Sequence, residues 1–173
     1  MTFRRSLSFA LFAAFTLVAI PQSRAETISI SATGLTLRCP CTGGAEDIAE
    51  EDHGLFVGKK PDGRYFMPVV FPKTAGQKVC SFTMIYQDTN MADTLTARLY
   101  GKSYAVGGNP LGGRHVIATV KSAAGNVATV RVATTTAITT PNVNPNWLYY
   151  IEADVKTVNL NLIGFKIEYK PTC

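Results

Sequence analysis

The sequence predicts an all-β protein built as a single antiparallel β-sandwich. Apolar and polar residues alternate with a period of two in most segments, turn residues separate these segments at short intervals, and helical periodicity is almost absent. Short strands in this arrangement are typical of a sandwich or barrel rather than of a fold that alternates strands and helices. About nine or ten strands are expected from these runs.

The segment CSFTMIYQ, residues 80–87, shows the alternation most clearly. Cys80, Phe82, Met84 and Tyr86 share one face of the predicted strand, and polar residues take the other face. One face is therefore expected to pack against a core while the other meets water. In this reading the side chain of Cys80 points inward.

The segment NWLYYIEADVK, residues 146–156, predicts a second half-buried strand. Trp147 and the apolar residues that follow it at odd positions are expected to face the core. Tyr150, Glu152 and Asp154 fall on the opposite face, which is expected to be exposed. The tryptophan is therefore predicted to lie in the core, near one end of the sandwich.

Shorter runs predict the remaining strands. They are TISISA (27–32), LTLRC (35–39), GLFVGK (54–59), YFMPVVF (65–71), LTARLYGK (95–102), HVIATVK (115–121), VATVRVATT (127–135) and NLNLIGFKIEYK (159–170).

Three local features refine this assignment. Pro68 marks an edge or bulge position, and a slip of the apolar phase beside Gly164 predicts a β-bulge. The runs HVIATVK and VATVRVATT are expected to form a hairpin across SAAGN. A helix of one or two turns is suggested only by GGAEDIAEEDHG, residues 43–54.

Residues 1–25 have the pattern of a secretory signal peptide. Arg4 and Arg5 supply the positive start, and the apolar run LSFALFAAFTLVAI that follows is too short for a membrane-spanning anchor. Pro21 breaks the run, and the small residue Ala25 precedes the expected cleavage site. The protein is therefore expected to be secreted or periplasmic.

The mature chain, residues 26–173, has the length of one ordinary domain. Removal of the three signal-peptide arginines leaves 14 basic residues against 12 acidic ones, a net charge of +2. This small and scattered charge does not favour nucleic-acid binding. No second apolar segment approaches spanning length, so membrane insertion is not expected.

Four cysteines, Cys39, Cys41, Cys80 and Cys173, predict disulfide bracing in an oxidising compartment. A bond between Cys39 and Cys41 would close a very small ring around Pro40 with poor torsional geometry. Both are therefore expected to bond to Cys80 and Cys173, in one of the two possible arrangements. A structural zinc site needs two properly spaced ligand pairs, so no metal site is predicted.

Other candidate ligand and catalytic residues are explained by ordinary surface roles. Asp88, Asn90 and Asp93 follow a strand, but the glycine and distal glutamate of a calcium loop are missing. The acidic run 46–52 is interpreted as a solvated face. The two histidines, His53 and His115, offer few base candidates, and His115 is expected on a strand surface.

No enzyme and no cofactor are predicted. The chain has no nucleophile-elbow pattern. Glu152 and Asp154 share a strand face as a glycosidase pair might, but neighbours on one strand lie too close together to admit an inverting water.

From Phe66 to Tyr169 the chain resembles a loose group of uncharacterised bacterial secreted β-sandwich proteins. The resemblance is carried by FMPVVFP, GQKVCSFTMIYQDTNMADTLTARLYG, YYIEADV and LIGFKIEYK. It implies a jelly-roll-like sandwich made for export. It implies no reaction and no catalytic residues.

The sequence therefore predicts a secreted, non-catalytic structural or interaction module with an unknown extracellular or envelope partner. The alternative is a carbohydrate-binding domain, in which the partner is a glycan bound by exposed aromatic rings. Tyr150 is the better exposed candidate, and Tyr100 could lie beside it on a neighbouring strand. These two tyrosines are the predicted ligand-facing residues.

Overall fold

A computed structural model describes ten parts of the chain, which are residues 24–37, 48–51, 55–58, 63–72, 74–88, 94–103, 113–123, 125, 127–155 and 160–173. The first strand begins at Glu26, the residue that follows the predicted cleavage site. The predicted signal peptide lies outside the described residues except for its last two. Among the described residues, no helix is long and apolar enough to cross a membrane.

Eleven strands and one short 3-10 helix, Ala32–Gly34, lie within the described part of the chain. The strands are β1 (Glu26–Ser31), β2 (Thr36–Leu37), β3 (Ile48–Glu51), β4 (Leu55–Gly58), β5 (Gly63–Val69), β6 (Lys78–Asp88), β7 (Thr96–Ser103), β8 (Arg114–Lys121), β9 (Val127–Thr135), β10 (Trp147–Val155) and β11 (Leu160–Lys170).

The strands form two antiparallel sheets. The six-stranded sheet has the order β3-β4-β11-β6-β9, with β1 also paired to β11, and the five-stranded sheet has the order β2-β5-β10-β7-β8. Without the short strands β2, β3 and β4, the orders are β1-β11-β6-β9 and β5-β10-β7-β8, the interleaved arrangement of a jelly roll. The predicted jelly-roll-like sandwich is confirmed.

The core between the sheets follows the period-2 pattern. Phe82, Met84 and Tyr86 of β6 are buried as predicted. Their partners across the sandwich include Ile151 of β10 and Leu99 of β7, which are fully buried. The alternate residues of β10 and β7 therefore point to the outer face of the five-stranded sheet.

Two local predictions were wrong. The acidic segment expected to be helical contains β3, which pairs antiparallel with β4 and so gains backbone partners that a helical turn would not provide. The expected hairpin between β8 and β9 is a crossing between the sheets, because β8 pairs with β7 and β9 pairs with β6.

Hydrogen bonds to β6 and to the start of β7 hold the connection that crosses between the sheets. Ser122 donates its hydroxyl to Asp88 at 3.0 Å, and the backbone N–H of Leu95 donates to the Ser122 oxygen at 2.9 Å. The backbone N–H of Ala123 donates to the hydroxyl of Tyr86 at 2.9 Å. A turn with small residues is compatible with a hairpin or with this crossing, and these contacts explain why the chain crosses.

The predicted bulge beside Gly164 is confirmed. Leu162 pairs with Tyr86 and Gly164 pairs with Ile85, so Ile163 is the extra residue of β11. The other edge of β11 pairs with two strands in turn. It pairs with β4 before the bulge and with β1 from Gly164 onward. A Cβ atom on Gly164 would lie 2.6 Å from the carbonyl oxygen of Ile30, so this close approach of β1 requires glycine.

A second bulge lies at Cys80 in β6 and interrupts the alternation that predicted an inward side chain there. Ser81 pairs with Glu168 and Val79 pairs with Tyr169, which leaves Cys80 as the extra residue. Its side chain is half-buried rather than inward as predicted. This irregularity turns the sulfur toward the chain that follows β11.

The disulfide bond joins Cys80 to Cys173, with a Cα–Cα distance of 5.4 Å. The predicted pairing of both residues with Cys39 and Cys41 is therefore wrong. The reason is the register of β6 and β11, which brings the last three residues of the chain past the β6 bulge. Cys39 and Cys41 lie outside the described residues.

Cys173→Ser is expected to lower the free energy of unfolding by about 2–5 kcal/mol, because the bond closes a long loop in the unfolded chain. The two bonded residues are 93 positions apart. Denaturant unfolding of both proteins measures the difference, and Thr172→Ser, a conservative change beside it, is the control. Equal stability of the Cys173→Ser variant and the wild type would contradict the prediction.

Gly164→Ala is expected to cost about 1–3 kcal/mol of stability, because the added methyl group forces β1 away from β11. Gly113→Ala is the matched control, since the nearest atom to its added Cβ lies 3.6 Å away. Thermal melts of the two variants test the prediction. Similar melting temperatures would show that β1 accommodates the methyl group.

Candidate ligand-binding groove

The outer face of the five-stranded sheet carries side chains in cross-strand rows. Each row takes one residue from β5, β10, β7 and β8, and a shift between Leu99 and Tyr100 in the pairing of β7 with β8 lies between the two rows described here. One row is Pro68, Tyr150, Tyr100 and Val116, and the next is Phe66, Glu152, Arg98 and Thr119.

The structure brings together the two tyrosines predicted to face a ligand. Tyr100 and Tyr150 are register partners, and their rings stack with centroids 5.2 Å apart and an interplanar angle of 21°. Tyr100 is only 3% exposed although it is not part of the core, because Tyr150 and Arg114 cover it. Tyr150 is half-buried and is the ring of the pair that lines the groove described below.

Glu152 was expected on an exposed polar face, and this prediction was wrong. Its side chain is 1% exposed, and Arg114 Nη1 donates to Glu152 Oε2 at 3.1 Å. The guanidinium lies 3.9 Å above the Tyr100 ring, and Arg114 Nη2 donates to the Tyr100 hydroxyl at 2.5 Å. Arg114 thus reaches across β7 and covers the carboxylate on a face where no other described strand packs.

Asp154 forms a second ionic group farther along the same face. It is bonded to Arg98, and the Nε atom of Arg64 lies 3.5 Å from its Oδ1 atom. The hydrogen bond to Asp154 is the main cause that raises the pKa of Arg98. Both carboxylates of β10 are therefore held by arginines from neighbouring strands.

Charged residues of both ionic groups affect the pKa of the Tyr100 hydroxyl. Burial is the first cause that raises the pKa of its hydroxyl, and the negative charge of Glu152 raises it further. The cations Arg114 and Arg98 act in the opposite direction. The phenol stays protonated at neutral pH, and its oxygen accepts the hydrogen bond from Arg114.

A groove of about 720 Å³ lies along β5 and β10, and its lining includes outward-facing side chains of this face together with the core residues Val69, Phe71 and Tyr149. Two of its apolar side chains are largely in water, since Val70 is 78% and Leu148 is 61% exposed. Among the described residues, β2 pairs with β5 only at Tyr65 and Phe66, so Pro68 lies on a part of the β5 edge that pairs with no described strand, as predicted. The outward-facing residues that line the groove are Phe66, Pro68, Val70, Leu148, Tyr150, Lys102 and Glu152.

Trp147 closes one end of the groove. It packs against the core but remains partly exposed, so its predicted core position is confirmed only in part. Its indole stacks on the imidazole of His115 with centroids 5.0 Å apart, and it lies across Gly101, where a Cβ atom would approach the indole to 2.4 Å. His115 is exposed on its strand, as expected.

The remaining candidate ligands fall into two groups. Asp88 is buried and accepts the hydrogen bond from Ser122, whereas Asn90, Asp93 and His53 lie outside the described residues. Within the described part of the chain, no group of three or more His, Cys, Asp or Glu side chains could hold a metal ion.

Sequence reasoning missed Leu148 and Lys102, which line the groove, and Arg114, which covers Glu152. Leu148 lies in the outward phase of β10 beside Tyr150, so the alternation contained the signal for it. Lys102 occupies the outward phase of β7 in the same way. The sequence contained no comparable signal for the contact of Arg114 with Glu152. The two residues are 38 positions apart in the sequence and lie two strands apart in the sheet.

The fold and this face define a β-sandwich with a groove that is lined by side chains of the five-stranded sheet. No model of a known protein family matches the chain, and no curated protein matches it.

Solved structures that are similar to the chain include the following two. The CBM36-1 domain of a multidomain xylanase from the hindgut metagenome of Trinervitermes trinervoides has 12% identity and a TM-score of 0.46, with 82% of this chain and 96% of that domain covered. A xylan-binding module, CBM15, has 11% identity and a TM-score of 0.46, with 84% and 97% covered. Similarity at this level carries no argument about the ligand, which has to be inferred from the groove.

Glu152→Gln is expected to lower the pKa of Tyr100, because it removes the negative charge that raises that pKa. Ultraviolet absorbance during an alkaline titration measures the ionisation of the seven tyrosines together. The difference between the wild type and the Glu152→Gln variant should therefore vanish in a Tyr100→Phe background. A difference that persists there would contradict the assigned contact.

Proposed function

We propose that the protein is a non-catalytic binding module that holds a glycan chain in the groove on the outer face of its five-stranded sheet. The observation that carries the proposal is the combination of exposed apolar side chains with a buried ion pair on one open face. Leu148 stands in water beside Tyr150, and Glu152 is enclosed by side chains within the same groove. Exposed apolar groups beside a few fixed polar groups are typical of ligand sites.

Contacts within the protein itself hold the aromatic ring that lines the groove. Tyr150 is fixed by its stacking on Tyr100, which in turn is held by Arg114 and Glu152. A ring that is already fixed loses little conformational entropy on binding. The buried network thus supports the ring that is available for contact.

The position of the groove favours a glycan over an extended peptide. β10 and β7 are interior strands of the sheet, so their backbone groups pair with neighbouring strands. The part of the β5 edge that pairs with no described strand carries Pro68, which has no N–H to donate. A peptide that adds a strand needs a free sheet edge. A pyranose ring presents a flat C–H face to Tyr150 or Leu148 and hydroxyl groups to polar side chains at the rim.

The ion pairs support a binding role rather than a reaction. Glu152 is held by Arg114 and Asp154 by Arg98, so neither carboxylate is positioned as an unpaired acid or base. The Cys80–Cys173 bond fits an oxidising compartment. We therefore place the module in the secreted or periplasmic space.

A second candidate function is protein–protein interaction through β9. This strand lies at the end of the six-stranded sheet order, and Val130 and Val132 are 61% and 63% exposed. An apolar edge strand is a template for pairing with another chain. In that case the partner would bind on the opposite sheet from the groove.

Tyr150→Ala is expected to weaken binding to a polysaccharide by about tenfold, the effect of losing one stacked ring. Affinity electrophoresis against a panel of soluble polysaccharides measures this loss, and thermal melting confirms that the variant is folded. Val132→Ala is the matched control, since it removes an exposed apolar side chain from the other sheet. Its affinity should equal that of the wild type.

Two results would contradict the proposal. Unchanged binding by a folded Tyr150→Ala variant would place the ligand outside the groove. Failure of the wild type to bind any polysaccharide of the panel would remove the glycan as occupant and favour the interaction through β9.

A further inference from the structure

We propose that the groove selects glycans that carry negative charge, with Lys102 as the residue that recognises the anionic group. The inference rests on the proposed function, since it names the class of glycan for the same groove. Lys102 lies on β7 and lines the groove beside Leu148, its register partner on β10. It faces the ligand space rather than the core.

The described charges on this face leave Lys102 without a counter-ion among the described residues. Arg114 is paired with Glu152, whereas Arg98 and Arg64 share Asp154. Among the described residues, no carboxylate contacts Lys102.

The register partners of Lys102 carry no negative charge that would neutralise it. Its register partner on β8 is Arg114, whose guanidinium is shared between Glu152 and the hydroxyl of Tyr100. The rim of the groove at this point is therefore cationic, and a cationic rim attracts an anionic ligand.

The placement of Lys102 matches a charged sugar. Lys102, Leu148 and Tyr150 all line the groove, and the last two are alternate residues on the same face of β10. An acidic pyranose can place its C–H face on these apolar groups while its carboxylate or sulfate meets the ammonium group. A neutral glycan would leave the cation without a partner.

Polygalacturonate and its fully methyl-esterified form provide the test, because they share a backbone and differ in charge. The wild type should bind the acidic polymer more tightly than the ester. Lys102→Gln should weaken binding to the acidic polymer by about fivefold, the effect of one partly exposed ion pair. Binding to the ester should not change, and added salt should reduce the difference between the polymers.

Lys166→Gln is the matched control, because it removes the same charge from an exposed position on the other sheet. Equal effects of Lys102→Gln and Lys166→Gln would overturn the inference. Dextran sulfate is a second anionic probe that separates sulfate from carboxylate recognition. Binding of either anionic glycan that depends on Lys102 supports the inference.

Two further outcomes separate this inference from the proposed function. Equal binding of both uronic polymers, abolished by Tyr150→Ala, would retain the glycan site and overturn charge selection. Equally tight binding of polyglutamate through Lys102 would show that the groove recognises charge without a sugar, which overturns the glycan as occupant. Binding of no polymer overturns both proposals.

Discussion

The pairing of β6 with β11 is the interaction on which the rest of the sandwich depends. β11 pairs with β6 along most of its length, and its other edge accepts β4 and then β1. β6 pairs with β9 on its second edge and holds the last residue of the chain through Cys80. On the core side of the sheet, the ring of Phe82 on β6 stacks on the ring of Phe165 on β11. A change that loosens it would release strands on both sides of the six-stranded sheet at once.

The five-stranded sheet meets a different constraint, because no strand in the described part of the chain covers its outer face. A carboxylate buried there must be paired and hydrogen-bonded by neighbouring side chains. Glu152 meets this requirement through Arg114, and the aromatic pair Tyr100 and Tyr150 excludes water from it. The same arrangement keeps Tyr150 in place at the groove. The contacts that stabilise the polar network therefore also determine the shape of the candidate site.

Period-2 alternation was sufficient to predict most strands and to place Tyr150 on the outer face. It could not predict which sheet a strand joins, since a short polar turn allows β8 and β9 to pair or to separate. The burial of Glu152 depends on an arginine that is distant in the sequence. The pairing of Cys80 depends on a bulge that only the register with β11 produces. These failures share one cause, because long-range pairing is not encoded in local periodicity.

The position of the single tryptophan has a practical consequence. Trp147 lines the groove, and no other residue of the chain is a tryptophan. The intrinsic fluorescence of the protein at long wavelength therefore originates at one known place, against His115 and Gly101. A molecule that enters the groove displaces water from the indole edge and changes the emission of the whole protein. The chain thus contains its own optical probe of occupancy, with no label attached.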